Sequence, residues 1–158
     1  MDKMPLISII FYSLPEAYLI FSFGLIALGQ KINVIRVILA TVFFVLSSYI
    51  IRMLPFPFGM HTAIGIAIIF LFFMIILRLK AKHALIATLI SSGTLIALEN
   101  SILYLFQIEL NLTPKQIWQD PLMRTLIGWP HLLVWSLITL IIYKRKIHIV
   151  RCRGNLEL

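Results

Sequence analysis

Six side chains able to carry charge or make strong hydrogen bonds fall inside, or at the edges of, long apolar runs: Glu16, Arg52, His61, Glu99, Asn100 and His131. Inside a membrane an ionisable group costs at least ~2.5–3.5 kcal/mol, so each needs a reason to be there. The set suits binding better than reaction. Two carboxylates accept hydrogen bonds, and a guanidinium has five donors that can serve both of them. The imidazoles and the amide can do either. Each residue also has a plain structural use: Glu16 as a helix N-terminal charge, Arg52 reaching to the surface, Glu99 and Asn100 in an interhelical bond, the histidines in packing. Catalytic arrangements are missing from the pattern. The single cysteine, Cys152, lies in a basic tail with only His148 near it, and Asp2 and Asp120 stand outside the apolar runs. No glycine-rich phosphate loop or metal-ligand spacing occurs. The expectation is a non-enzyme with no metal and no cofactor.

The elements that must position these residues follow from composition. Of 158 residues, 61% are hydrophobic and 13% charged, about half the charged share of an average soluble domain. Apolar runs reach the ~20 residues a bilayer-crossing helix needs. The expected fold is an all-α integral membrane protein, a five-transmembrane-helix bundle with spans at about 5–28, 34–54, 57–77, 83–106 and 122–143. Residues 1–146 form one membrane domain and 147–158 a basic cytoplasmic tail. Pro15 either kinks the first span or starts it, with residues 5–13 then lying in the interface. The stretch "LPFPFGMHT" predicts a rigid elbow: Pro55 ends the second helix and Pro57 opens the third. Thr113, Pro114 and Gln116 carry a helix-start signature, so a short amphipathic helix is expected in the outer loop between helices 4 and 5, with Pro121 starting the last span. Gly93 with Ala97, and Ala63 with Ala67, are spaced for close helix approach. The phenylalanine-rich "IIFLFFMII" (68–76) is expected to face lipid.

Orientation follows from the basic residues. With the N-terminus outside, Lys31, Arg36, Arg78, Lys80, Lys82, Lys144, Arg145, Lys146, Arg151 and Arg153 lie inside, and only Lys3, Arg52, Lys115 and Arg124 outside. A bias of ten to four selects that orientation. The net charge of +8 is then a topology signal, and nucleic acid is not expected as a partner. In this frame the six polar residues all fall in the outer half of the bilayer or at its rim, where five helices could enclose a pocket that opens outward.

Three stretches together, "SLPEAYLIFSFGLIALG", "IIRMLPFPFGMHTAIGI" and "ALIATLISSGTLIALEN", resemble the N-terminal membrane region of Firmicute sensor histidine kinases of the GHKL and sporulation-kinase-like group. The matching positions are Leu14, Pro15 and Glu16; Arg52, Leu54, Pro55, Pro57, Phe58, Gly59, His61 and Thr62; and Glu99. The likeness spans roughly residues 10–145. It implies a sensor-type membrane domain, here free-standing, because a kinase would continue past residue 145 with its phosphoacceptor helix and ATP-binding domain. It carries no ligand-binding residues over.

The functional expectation is a bacterial inner-membrane protein of sensor type. It would detect a small or lipid-soluble cue in an outer-leaflet pocket and signal to a partner. Its partners would be the lipid bilayer and a histidine kinase or other membrane or cytoplasmic signalling protein, with a homo-oligomer left open. The rival expectation is a small transport component binding a substrate in the same pocket. A transporter needs polar residues leading to both faces, and the inner half here is nearly purely apolar.

Overall fold

The computed structural model describes residues 9–54, 60–110 and 121–146, all within helices or short connections. A π-helical turn at Ile9–Ser13 leads into α1 (Leu14–Ala27), followed by α2 (Val34–Met53), α3 (Met60–Ile75), α4 (Ala81–Leu110) and α5 (Pro121–Lys144). No strand occurs among the described residues. Three helices are long and apolar enough to cross a membrane: α2, α4 through Glu109, and α5 from Leu126. The other two are apolar but shorter. At 1.5 Å per residue the 16 residues of α3 reach about 24 Å, short of a hydrocarbon core of about 30 Å.

Local chemistry sets most boundaries. Asn33, extended at the α2 N-cap, accepts from the Arg36 N–H at 3.3 Å. At its other end α2 stops at Met53, and Leu54 is extended (ψ 141°), as a residue before proline must be. Gly29 ends α1 with φ 67°, a left-handed cap that costs glycine nothing, and the Gln30 N–H bonds back to the Leu25 carbonyl at 2.9 Å. Pro15 falls in the first turn of α1. The chain before it winds as a π turn, and that wider winding relieves the clash a proline ring makes with the preceding α-turn. Both sequence alternatives are thus met in part: Pro15 starts the α-helix, yet the helical path continues through Ile9–Ser13. Pro121 opens α5, and α4 runs one turn further than expected, to Leu110. The elbow at 55–59, the outer-loop helix expected within 111–120 and the tail from 147 on lie outside the described residues.

The helix that packs most widely is α1. It lies against α2, α4 and α5, while α3 closes the gap between α2 and α4. Every residue from Ile20 to Leu28 is buried, as expected of a helix that is apolar all round. Phe21 meets Phe73 edge-on at 5.3 Å and Phe44 at 5.9 Å, and Phe23 meets Trp135 at 5.7 Å. Two packing expectations are corrected here. The run 68–76 is not a lipid face: Ile69 and Phe73 are buried in the core, and only Leu71 and Ile75 are exposed. The small pairs Gly93/Ala97 and Ala63/Ala67 are exposed, and a Cβ on Gly93 would meet nothing within 4 Å. Close approach occurs at Gly24 instead. There a Cβ would lie 2.5 Å from Phe73 Cζ and 2.7 Å from Ser91 Oγ.

Candidate functional site

Short connections between α1 and α2 and between α3 and α4 make those pairs antiparallel, so the N-terminal end of α1, the C-terminal end of α2, the N-terminal end of α3 and the C-terminal half of α4 lie at one end of the bundle. The opposite end carries Lys31, Arg36, Arg78, Lys80, Lys82, Lys144, Arg145 and Lys146, with no acidic residue among the described segments there. At the first end a cavity of about 200 Å³ opens between α1, α2, α3 and α4. Each of these helices brings one ionisable side chain to it: Glu16, Arg52, His61 and Glu99, in that order.

Helical spacing explains the rest of the lining. Ser13 at the end of the π turn and Glu16 and Ile20 on α1 follow at intervals of three and four; on α2, Ser48 and Arg52; on α3, His61, Gly65 and Ile69; on α4, Ser92, Ile96 and Glu99. Residues so spaced share one helix face. Helical spacing from Arg52, His61 and Glu99 thus points to Ser48, Gly65 and Ser92, although none of them is ionisable. Arg52 is exposed, whereas Glu16, His61 and Glu99 are half-buried. The cavity deepens from these groups to an apolar floor of Ile20, Phe44, Val45 and Ile69.

Two expected members lie elsewhere. Asn100 follows Glu99 by one residue, about 100° around the helix, and faces a shallow groove with Ser101, Leu103, Tyr104 and Gln107. Its Nδ2 donates to the Ile96 carbonyl at 2.7 Å, a bond within its own helix. His131 is buried on α5, where Tyr12 meets its ring edge-on at 5.8 Å and also presses on Gly128. Tyr12 thus packs toward α5 while its neighbour Ser13 lines the cavity.

Away from the cavity, buried hydroxyls bond back to their own helices. Ser22 donates to the Tyr18 carbonyl at 2.6 Å, Thr41 to Val37 at 2.8 Å, Thr88 to Ala84 at 2.8 Å and Thr139 to Trp135 at 2.7 Å. Such bonds hide a polar group without needing a partner helix. Ser91 Oγ and Trp135 Nε1 are buried with no hydrogen-bond partner, and both lie in the packed core rather than in the cavity. Among the described residues no group of three or more His, Cys, Asp or Glu could hold a metal ion.

Comparison with protein-family models, with curated proteins and with solved structures finds no match to this chain.

Proposed function

We propose that the chain is a non-enzymatic, multi-pass protein of the bacterial cell membrane, a five-helix bundle that binds a small cue in the outer leaflet and signals to a partner on the inner side. The observation that carries this reading is the cavity. Four ionisable residues, from four helices and spread over 84 positions of sequence, line one space at the end away from the basic residues. Groups that are each costly in an apolar layer become tolerable around a shared, hydrated or ligand-filled space. The basic end belongs in the cytoplasm by the positive-inside rule, so the cavity opens outward. The likeness to the membrane region of sensor kinases supports a signalling role and points to a histidine kinase or a similar protein as the partner.

Transport is the alternative, and no feature of the described residues favours it. Beyond the cavity floor the buried polar groups are hydroxyls and an indole, not a chain of ionisable residues leading to the basic end.

The test has two arms. In a Cys152→Ser background, Ser48→Cys is expected to react with a membrane-impermeant maleimide added to intact cells, whereas Thr41→Cys, buried deeper on α2, is not. Labelling of Ser48→Cys only after permeabilisation would reverse the orientation and end the outer-pocket reading. In the second arm, Glu99→Gln is expected to alter the phosphorylation of the host's response regulators. An unchanged profile together with lost uptake of a labelled compound would favour the transporter.

A further inference from the structure

The cavity's charge and layering define the class of molecule it takes. The cavity holds two carboxylates against one guanidinium, so its acidic groups outnumber its permanent cation by one. Arg52 stands exposed at the mouth, while Glu16 and Glu99 are half-buried. An anion entering beside Arg52 would bring a third negative charge into a low-dielectric space. A cation would bring the count to zero. One turn further in stand Ile20, Ser48, Gly65 and Ile96, and a turn beyond them Phe44, Val45, Ile69 and Ser92. The space is thus charged at the rim and apolar at depth. At about 200 Å³ it is smaller than the ~300–1,000 Å³ of sites for drug-sized ligands.

Gly65 adds a second observation. It lies within α3, where glycine weakens a helix by about 1 kcal/mol relative to alanine. It is not there for close helix packing, because a Cβ built on it meets no atom within 4 Å. It lines the cavity, and the missing side chain leaves that space open.

Resting on the reading of this cavity as a ligand site, we propose that it binds a small amphiphilic monocation, an ammonium group on a compact apolar body. The ammonium sits between Glu16 and Glu99, and the body points past Gly65 to the floor.

The experiment uses the full chain in phosphatidylcholine nanodiscs and three probes of similar shape: phenethylammonium, 2-phenylethanol and 3-phenylpropionate. Binding is read as a saturable rise in the thermal unfolding midpoint and by titration calorimetry. Phenethylammonium is expected to bind, with the alcohol and the carboxylate weaker by about tenfold or more. The Glu16→Gln/Glu99→Gln double variant removes that preference while keeping the fold. Gly65→Leu fills the space and abolishes binding although the probe still partitions into the lipid; Gly65→Ala, a milder filling, weakens it. Equal signals in wild type and Gly65→Leu would show bilayer uptake alone and overturn the proposal. So would a carboxylate that binds as well as the amine. If that carboxylate signal disappears in Gly65→Leu, the ligand site stands and only its charge class falls. If no probe binds and Ser48→Cys resists external labelling, the ligand site falls as well.

Discussion

Gly24 on α1 and Phe73 on α3 fit so closely that a Cβ on the glycine would stand 2.5 Å from Phe73 Cζ. Phe73 is fully buried and also packs edge-on against Phe21, so it has no room to withdraw. Gly24→Val is expected to cost about 1–3 kcal/mol through overpacking. The matching control is Gly93→Ala, which meets no neighbour and should be neutral, or stabilising by up to ~1 kcal/mol from helix propensity. Thermal melts of both variants in detergent, followed by circular dichroism, check the pair. Equal midpoints would refute the close fit.

His131 is expected to matter for stability and not for the cavity. His131→Phe keeps an aromatic edge against Tyr12, a contact worth about 0.5–1.5 kcal/mol, and removes a buried Nε2 that has no hydrogen-bond partner. Its melting midpoint should equal or exceed that of the wild type. His131→Ala leaves a void instead and should lose about 2–5 kcal/mol. Neither change should alter labelling of Ser48→Cys, and a loss of labelling in the phenylalanine variant would place His131 in the site after all.

The three charges of the rim should behave as a coupled set. Arg52→Ala leaves two carboxylates facing one cavity and is expected to destabilise more than Glu99→Gln. Combining the two changes should recover part of the loss, with a coupling of about 0.5–3 kcal/mol in a double-mutant cycle. Strict additivity would mean that Arg52 and Glu99 line the same space without sensing each other. Because Arg52 is exposed, the coupling should also shrink with added salt.

Topology gives a fourth expected outcome. A reporter fused after Arg153 scores cytoplasmic, and one inserted near Lys115 scores external. An external C-terminus would overturn the orientation or the number of spans.

How much of this could be foreseen varies from helix to helix. The boundaries of α2 were legible to within a residue, since Asn33 caps one end and the Leu54–Pro55 bond closes the other. The state of Pro15 was not, because a π turn depends on how residues 9–13 pack against α5 and not on their composition. The aromatic run of α3 misled for a related reason. With phenylalanine, leucine and isoleucine at nearly every position, no face stands out, and what buries Phe73 is a glycine 49 residues earlier. At the cavity, the cost of charge in an apolar run marked Glu16, Arg52, His61 and Glu99. That same reasoning also marked Asn100, which one step of helical rotation turns away, and His131, which sits against Tyr12 on another helix.

The central place of α1 bears on how the molecule is made. Helix α5, one of its three main neighbours, ends 117 residues after α1 does. In the proposed five-span bundle, made at about 5–20 residues per second, α1 waits several seconds or more before its last partner arrives. During that interval the face meant for Trp135 has no partner helix, and until α4 is made Glu16 lacks the helix that carries Glu99. Of the five helices α1 is therefore made earliest and packed last, so in the proposed bundle its assembly is most open to error before α4 and α5 emerge.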